Sequence, residues 1–190
     1  MRLDIGCGTR KCGPDWTGVD KMSFPGVDVV LDVAARETDV KHNAASVPFK
    51  PWPWEDNSVE EIHSSHFLEH LEPDERVHFA NEAFRVLKPG GKATITVPWW
   101  ASQRSYGDMT HKWPPVVFFW TYYLRKEWRA VNAPHNTEYT CDFDAGGGTV
   151  PNGDGRFAGR NDAFIQEAMQ NYIEGASDLI FTLTKPLTPR

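Results

Sequence analysis

Short apolar runs separated by turn residues fill the first half of the chain, and most are too short for helices. Arg2–Ile5 reads as a strand that ends at a glycine turn. Trp16–Asp20 and Val27–Asp32 form two further short strands, each closing on an aspartate. Asp56-Asn57-Ser58 marks a turn, and Val59–Ser65 follows as a strand. The period then changes. Val77, Ala80, Phe84 and Leu87 fall on one face of a helix over Pro73–Leu87, with Pro73 in the first turn, where its missing N–H costs little. Pro89-Gly90-Gly91 stops that helix, and Lys92–Val97 is a β-rich strand broken by Pro98. Strands alternating with helices or loops predict a parallel α/β sheet.

The second half is patterned differently. Trp99–Pro115 is a polar-aromatic connection and Val116–Val131 has helical spacing. Glu138–Asp144 alternates as a strand, with Tyr139, Cys141 and Phe143 on one side. Ala145–Gly159 is glycine-rich and reads as a loop, either a lid over a substrate or an insertion without a fixed fold. Asp162–Glu174 is an amphipathic helix with Phe164, Ile165, Ala168, Met169, Tyr172 and Ile173 as its apolar stripe. Asn161 is its expected N-cap and Gly175 its stop, after which Asp178–Thr184 closes the pattern as a strand.

With 190 residues, no internal repeat and no linker, the chain is expected to form one domain. A net charge of −6 argues against a general nucleic-acid binder, which needs a basic face. Arg125, Lys126 and Arg129 are either a local cationic patch or a solvated helix face. Cys7, Cys12 and Cys141 give neither a disulfide framework nor a zinc spacing, and an odd count suits a reducing compartment. No stretch approaches transmembrane length and no signal peptide is visible, so a cytoplasmic location without a membrane partner is expected. The eight tryptophans matter for where they lie: most of the aromatic side chains cluster between Trp99 and Trp128, as a stacking surface or as core filling.

A strand followed at once by Gly6-Cys7-Gly8 lets the backbone turn tightly and approach a ligand without Cβ interference. Asp20, at the end of the next strand, is placed to accept ribose hydroxyls, and Asp32 ends the third. These features together point to a nucleoside-containing ligand. The order Leu3–Gly8, Gly18-Val19-Asp20, Val47-Pro48-Phe49, Trp52–Ser58, His66-Phe67-Leu68-Glu69-His70-Leu71 and Phe84–Gly91 resembles class I S-adenosylmethionine-dependent methyltransferases of the type 11 kind, across roughly the first half of the chain.

The resemblance implies a Rossmann-like, seven-stranded, mostly parallel sheet whose last two strands form an antiparallel hairpin, here Glu138–Asp144 with Asp178–Thr184. Residues 1–98 would be the cofactor half and 99–190 the substrate side. It implies that Gly6, Cys7 and Gly8 pass under the methionine part of S-adenosylmethionine, with Asp4 orienting this loop or meeting the amine through water. Asp20 would hold the ribose, with Lys21 and Met22 beside the adenine. Asp32 with Val33 would read the adenine amine, Asp39 being the weaker substitute. Ser65 and His66 would lie near the transferable methyl. Two departures stand out. Only Thr9–Thr17 separates the glycine turn from the next strand motif, and Pro14 interrupts it, so the first helix must be shortened or lost. Nothing precedes the first strand, which suggests an exposed cofactor or cover by a second copy in a homo-oligomer.

Methyl transfer needs an in-line nucleophile and a base only if that nucleophile keeps its proton. His66 is the first candidate base, against the reading that it only bonds backbone near the cofactor. His70 is expected to order the following loop. Asp108 and His111 are three apart, so the carboxylate can orient the ring if the segment turns, or Asp108 merely caps that turn. Trp99, Trp100, Tyr106 and Trp113 are the expected substrate surface. His66, Asp108 and His111 could converge, but no ligand spacing demands a metal there. The sequence therefore points to methylation of an O or N atom of a polar small molecule, since no cysteine-nucleophile pattern suggests C-methylation. The alternatives are a cofactor-binding but non-catalytic partner subunit, or a methyltransferase of nucleic acid or protein.

Overall fold

Seven strands form one sheet in the order β3-β2-β1-β4-β5-β7-β6 in the computed structural model, which describes residues 1–37, 47–151 and 157–188. They are β1 (Arg2–Ile5), β2 (Thr17–Asp20), β3 (Val29–Val30), β4 (Val59–Ser65), β5 (Leu87–Pro98), β6 (Asp144–Pro151) and β7 (Ala176–Thr184). The first five run parallel, and β7 runs antiparallel to both its neighbours. Because the chain moves outward from β1 through β2 and β3 and then returns to β4 on the other side, the carboxyl ends of β1 and β4 flank a switch point, where such sheets bind ligands.

Alternate positions of the central strands are apolar and buried: Leu3, Ile5, Val19, Ile62, Ala93, Ile95, Phe181 and Leu183. Helix α1 (Pro73–Val86) starts with a reciprocal cap in which Glu75 accepts the backbone N–H of Glu72 (2.8 Å), with Pro73 next. Its buried face is Phe79, Ala80, Ala83 and Val86. The face expected from Val77 and Phe84 is thus rotated, and those two are half-buried at its margins. The helix packs Phe79 against Trp52 and Phe84 against Phe143, edge to face at 5.4 and 5.1 Å between ring centroids.

Four elements differ from the sequence reading. Pro89-Gly90-Gly91 does not separate helix from strand: β5 begins at Leu87, and an irregularity in its pairing with β4 absorbs these residues. Gly91 permits this, since a Cβ there would stand 2.9 Å from the carbonyl oxygen of Glu60. The helical stretch Val116–Val131 is two short helices, α3 (Trp120–Tyr123) and α4 (Lys126–Asn132), which follow α2 (Arg104–Gly107). The penultimate strand is Asp144–Pro151, not Glu138–Asp144, so the first half of the glycine-rich segment is an edge strand rather than a loop. Gly147 lets it approach, because a Cβ there would stand 2.4 Å from the carbonyl oxygen of Ile180. The last helix, α5 (Asp162–Asn171), has Asn161 as N-cap, accepting from Phe164 N at 2.9 Å. It stops before Tyr172 and Ile173, which are exposed instead of completing its buried stripe.

Candidate active site

The segment after Gly6 forms turns and no helix, so the first helix is lost rather than shortened. What fixes the loop is hydrogen bonding to two aspartates. Buried Asp4 accepts Cys12 N through Oδ2 (2.7 Å), while its Oδ1 lies 2.7 Å from His63 Nδ1. Asp20 accepts Gly8 N through Oδ2 (3.0 Å) and Met22 N through Oδ1 (2.9 Å). Gly6 has φ +72° and the Phe67 ring lies against it, where a Cβ would come within 2.4 Å of that ring. Both reasons require glycine there.

These residues border a cleft of about 710 Å³ at the carboxyl ends of the strands, a volume typical of small-molecule sites. Gly6, Asp20, Lys21, Met22, Asp32, Val33 and His66 line it, all expected from the sequence. Asp32 accepts Ala34 N through Oδ1 at 3.0 Å and borders the cleft. A neighbouring cavity of about 510 Å³ meets the cleft at Gly6 and is lined by Asp4, Cys7, Gly8, Arg10 and Ser65. Phe24 and Arg10 are two lining residues the sequence reading missed. Neither stands in a motif, and only the fold shows that they face ligand-sized space. Asp39 lies outside the described residues.

Beyond His66, a cavity of about 610 Å³ is lined by His66, Glu69, His70, Arg104, Asp108, Met109 and His111. It shares His66, His70 and Met109 with the cleft, so the two spaces adjoin. His66 ends β4 in the left-handed region, φ +53°, and this aims its ring between two carboxylates. Nδ1 lies 3.3 Å from Glu69 Oε1 and Nε2 lies 3.7 Å from Asp178 Oδ1. Glu69 beside it, with help from Asp178, raises the imidazole above the ordinary histidine value, against the opposing effects of burial and Arg104.

Asp108 does not orient His111. Its Oδ1 accepts both Thr110 N (2.8 Å) and Thr110 Oγ1 (2.7 Å), so it caps the turn. These two bonds to Thr110 hold its carboxyl below the usual range. His111 is fixed instead by Ser105, whose carbonyl accepts from Nδ1 at 3.1 Å. His70 ties down the same loop, with Nδ1 2.9 Å from Thr110 Oγ1. Arg76, buried in α1, donates to the carbonyls of Leu68, Lys112 and Pro114, and Glu69 O accepts Lys112 N.

The expected aromatic surface lies elsewhere. Trp100, Tyr106 and Trp113 border an apolar groove of about 430 Å³ with Phe119 and Trp120, and Trp99 packs against the core; none of the four lines the cavity around His66 and His111. Arg129 is no surface cation: it is buried and donates to the carbonyls of Tyr123, Tyr139 and Cys141. The thiols stay protonated at neutral pH. Burial pushes Cys141 up to about 12, and burial with nearby Asp4 pushes Cys12 up to about 11.

Residues 3–95, which span β1 to most of β5, match the family model of the methyltransferase domain. The fold is similar to a SAM-dependent methyltransferase from Archaeoglobus fulgidus (18% identity, 97% of this chain and 85% of that one, TM-score 0.56). It is also similar to 1,6-didemethyltoxoflavin-N1-methyltransferase from Burkholderia thailandensis, solved with 1,6-didemethyltoxoflavin and S-adenosylhomocysteine (15%, 97% and 70%, TM-score 0.51). A third likeness is to an S-adenosylmethionine-dependent methyltransferase from Mesorhizobium loti (15%, 96% and 89%, TM-score 0.50). Among curated proteins, none matches the sequence. The matched segment is that of a methyltransferase domain, and the fold is the one these S-adenosylmethionine-dependent methyltransferases share.

Proposed function

We propose that this protein moves the methyl group of S-adenosylmethionine to an O or N atom of a polar small molecule held between His66 and His111. The observation that carries this reading is the shared wall: His66 borders both the cofactor cleft and the polar cavity beyond it, so a donor and an acceptor meet at its side chain.

The cofactor, when bound, supplies an activated methyl on a positively charged sulfur. Asp20 spends one lone pair of each oxygen on Gly8 and Met22, which leaves capacity for the ribose hydroxyls. Lys21, Met22 and Phe24 form the wall for the adenine, with Asp32 toward its amine. Arg10 lines the cavity beside Gly6 and Gly8 and offers the methionine carboxylate a cation in a loop that has no helix. His66 accepts the acceptor's proton; its two carboxylate neighbours stabilise the imidazolium that results. Asp108 keeps the loop in shape, and His111 faces the acceptor.

Isothermal titration with S-adenosylmethionine and S-adenosylhomocysteine tests the shared foundation. A folded protein that binds neither would overturn the assignment. Binding followed by turnover of small-molecule pools supports it. Binding without turnover of any pool would favour a non-catalytic partner subunit, and transfer of radioactive methyl to RNA, DNA or protein would redirect the acceptor class.

A further inference from the structure

Glu69 is 4% exposed, and among the described residues neither of its carboxylate oxygens has a donor in hydrogen-bonding geometry. A buried carboxylate in that state calls for a cation or another partner that satisfies it. His66 stands 3.3 Å away on one side. On the other side, one potential ligand atom each from Glu69, His70 and His111 lie within 4.8 Å of one another. All three residues line the 610 Å³ cavity.

The hydrogen bonds around the two imidazoles decide which nitrogen is free. The single proton of the Thr110 hydroxyl goes to the Asp108 carboxylate, so Thr110 Oγ1 must accept from His70 Nδ1–H. The carbonyl of Ser105 can only accept, so His111 Nδ1 also carries its proton. Each neutral ring therefore keeps its lone pair on Nε2. A histidine whose far N–H is held by a carbonyl or by a hydroxyl backed by a carboxylate is the usual outer arrangement of a metal ligand. The rings meet edge to face, with centroids 4.8 Å apart.

We infer that Glu69, His70 and His111 form a binding site for one borderline divalent cation, such as Zn²⁺, Co²⁺ or Fe²⁺. Two imidazoles and one carboxylate select these ions over Mg²⁺ and Ca²⁺, which prefer all-oxygen shells. Bond lengths of about 2.0–2.2 Å in a tetrahedron require the donors to close to roughly 3.3–3.6 Å, which small side-chain rotations supply. Three protein ligands leave coordination positions open toward the cavity, where an oxygen of the methyl acceptor would fit. That use in methyl transfer rests on the function proposed above; the binding itself does not. Sequence spacing gave no metal pattern because His111 is distant from Glu69-His70. The bonds from Lys112 N to Glu69 O and from Arg76 to Leu68, Lys112 and Pro114 bring them together.

The test uses the full chain freed of metal with a chelator. Zn²⁺ is titrated calorimetrically, and Co²⁺ is followed by its visible ligand-field absorption. One ion per chain is expected, with affinity reduced at least tenfold in Glu69→Gln, His70→Ala and His111→Ala and unchanged in Cys12→Ala. Circular dichroism and a thermal melt of each variant report that it is folded. No ion binding by the parent, or binding untouched by His111→Ala, overturns the site. Loss in Cys12→Ala would do the same by moving the ion to the other cluster, Asp4, Cys12 and His63. Cofactor binding without ion binding defeats this inference alone, whereas ion binding without cofactor binding defeats the proposed function alone.

Discussion

Asp20 serves two purposes with two oxygens. It fixes the turn through Gly8 N and Met22 N, and it faces the cleft. Asp20→Ala should weaken S-adenosylhomocysteine binding by about tenfold or more, since charged hydrogen bonds contribute about 1.5–3 kcal/mol each. Calorimetry that finds an unchanged affinity would place the ribose elsewhere. His111 sits across the cavity from that cleft and does not line it. His111→Ala should therefore leave cofactor affinity within about twofold while turnover, once an acceptor is known, falls by about 10²-fold, the scale of one proton-transfer or polarising group. Equal losses in binding and turnover would contradict that separation.

At the scale of elements, the loops around the site are held by arginines whose guanidinium groups satisfy several carbonyls at once. Arg85 donates to the carbonyls of Trp52 and Trp54 and pairs with Glu82 and Asp56, fastening the segment before β4 to α1. Arg76 does the same for the connection after β5. Arg76→Met keeps the stem and removes the donors, leaving three carbonyls to find new partners. We expect a loss of about 2–4 kcal/mol in urea denaturation, in line with buried polar groups left unpaired. Cofactor binding should be kept because β1 and β2 are untouched. A change below about 0.5 kcal/mol would mean water replaces the guanidinium without cost.

Across the molecule, two histidines respond to pH in opposite directions. Burial lowers His78 below the ordinary value, outweighing Glu82 and its backbone bonds, while its ring stacks on Phe49 at 4.6 Å. The fold thus holds it neutral. As pH falls through the ordinary value of about 6.5, the unfolded chain takes up a proton that the folded chain refuses. Stability is therefore lost from there down to the lowered folded value. His66 is raised, so its contribution is full below about 6.5 and fades as pH climbs through its folded value. Urea unfolding of the wild type and His78→Phe at pH 7.5, 6.5 and 5.5 isolates the first effect. The difference between them should shift in favour of the variant on acidification. Parallel losses in both proteins would show that His78 is not responsible.

Local spacing determined much of this protein. Strands β1, β2 and β4, the glycine turn, Asp20 at a strand end, the start of α1 and the cap at Asn161 were all legible, whereas β3 is only Val29–Val30 and Asp32 lies past its end. Each depends on neighbours a few residues away and on a backbone that must turn or pair there. A shortened or missing first helix was legible too, because only Thr9–Thr17 separates the glycine turn from the next strand motif. Tertiary structure decided the rest. Asp144–Pro151 has no alternation of apolar side chains; it is a strand because the open edge of β7 needs backbone partners and the glycines let it close in. The face of α1, the inward turn of Arg129 and the separation of the tryptophans from the His66 cavity follow from packing between distant segments. So does the meeting of Glu69, His70 and His111. No local pattern carries such contacts, because they form only where one segment of the fold docks on another.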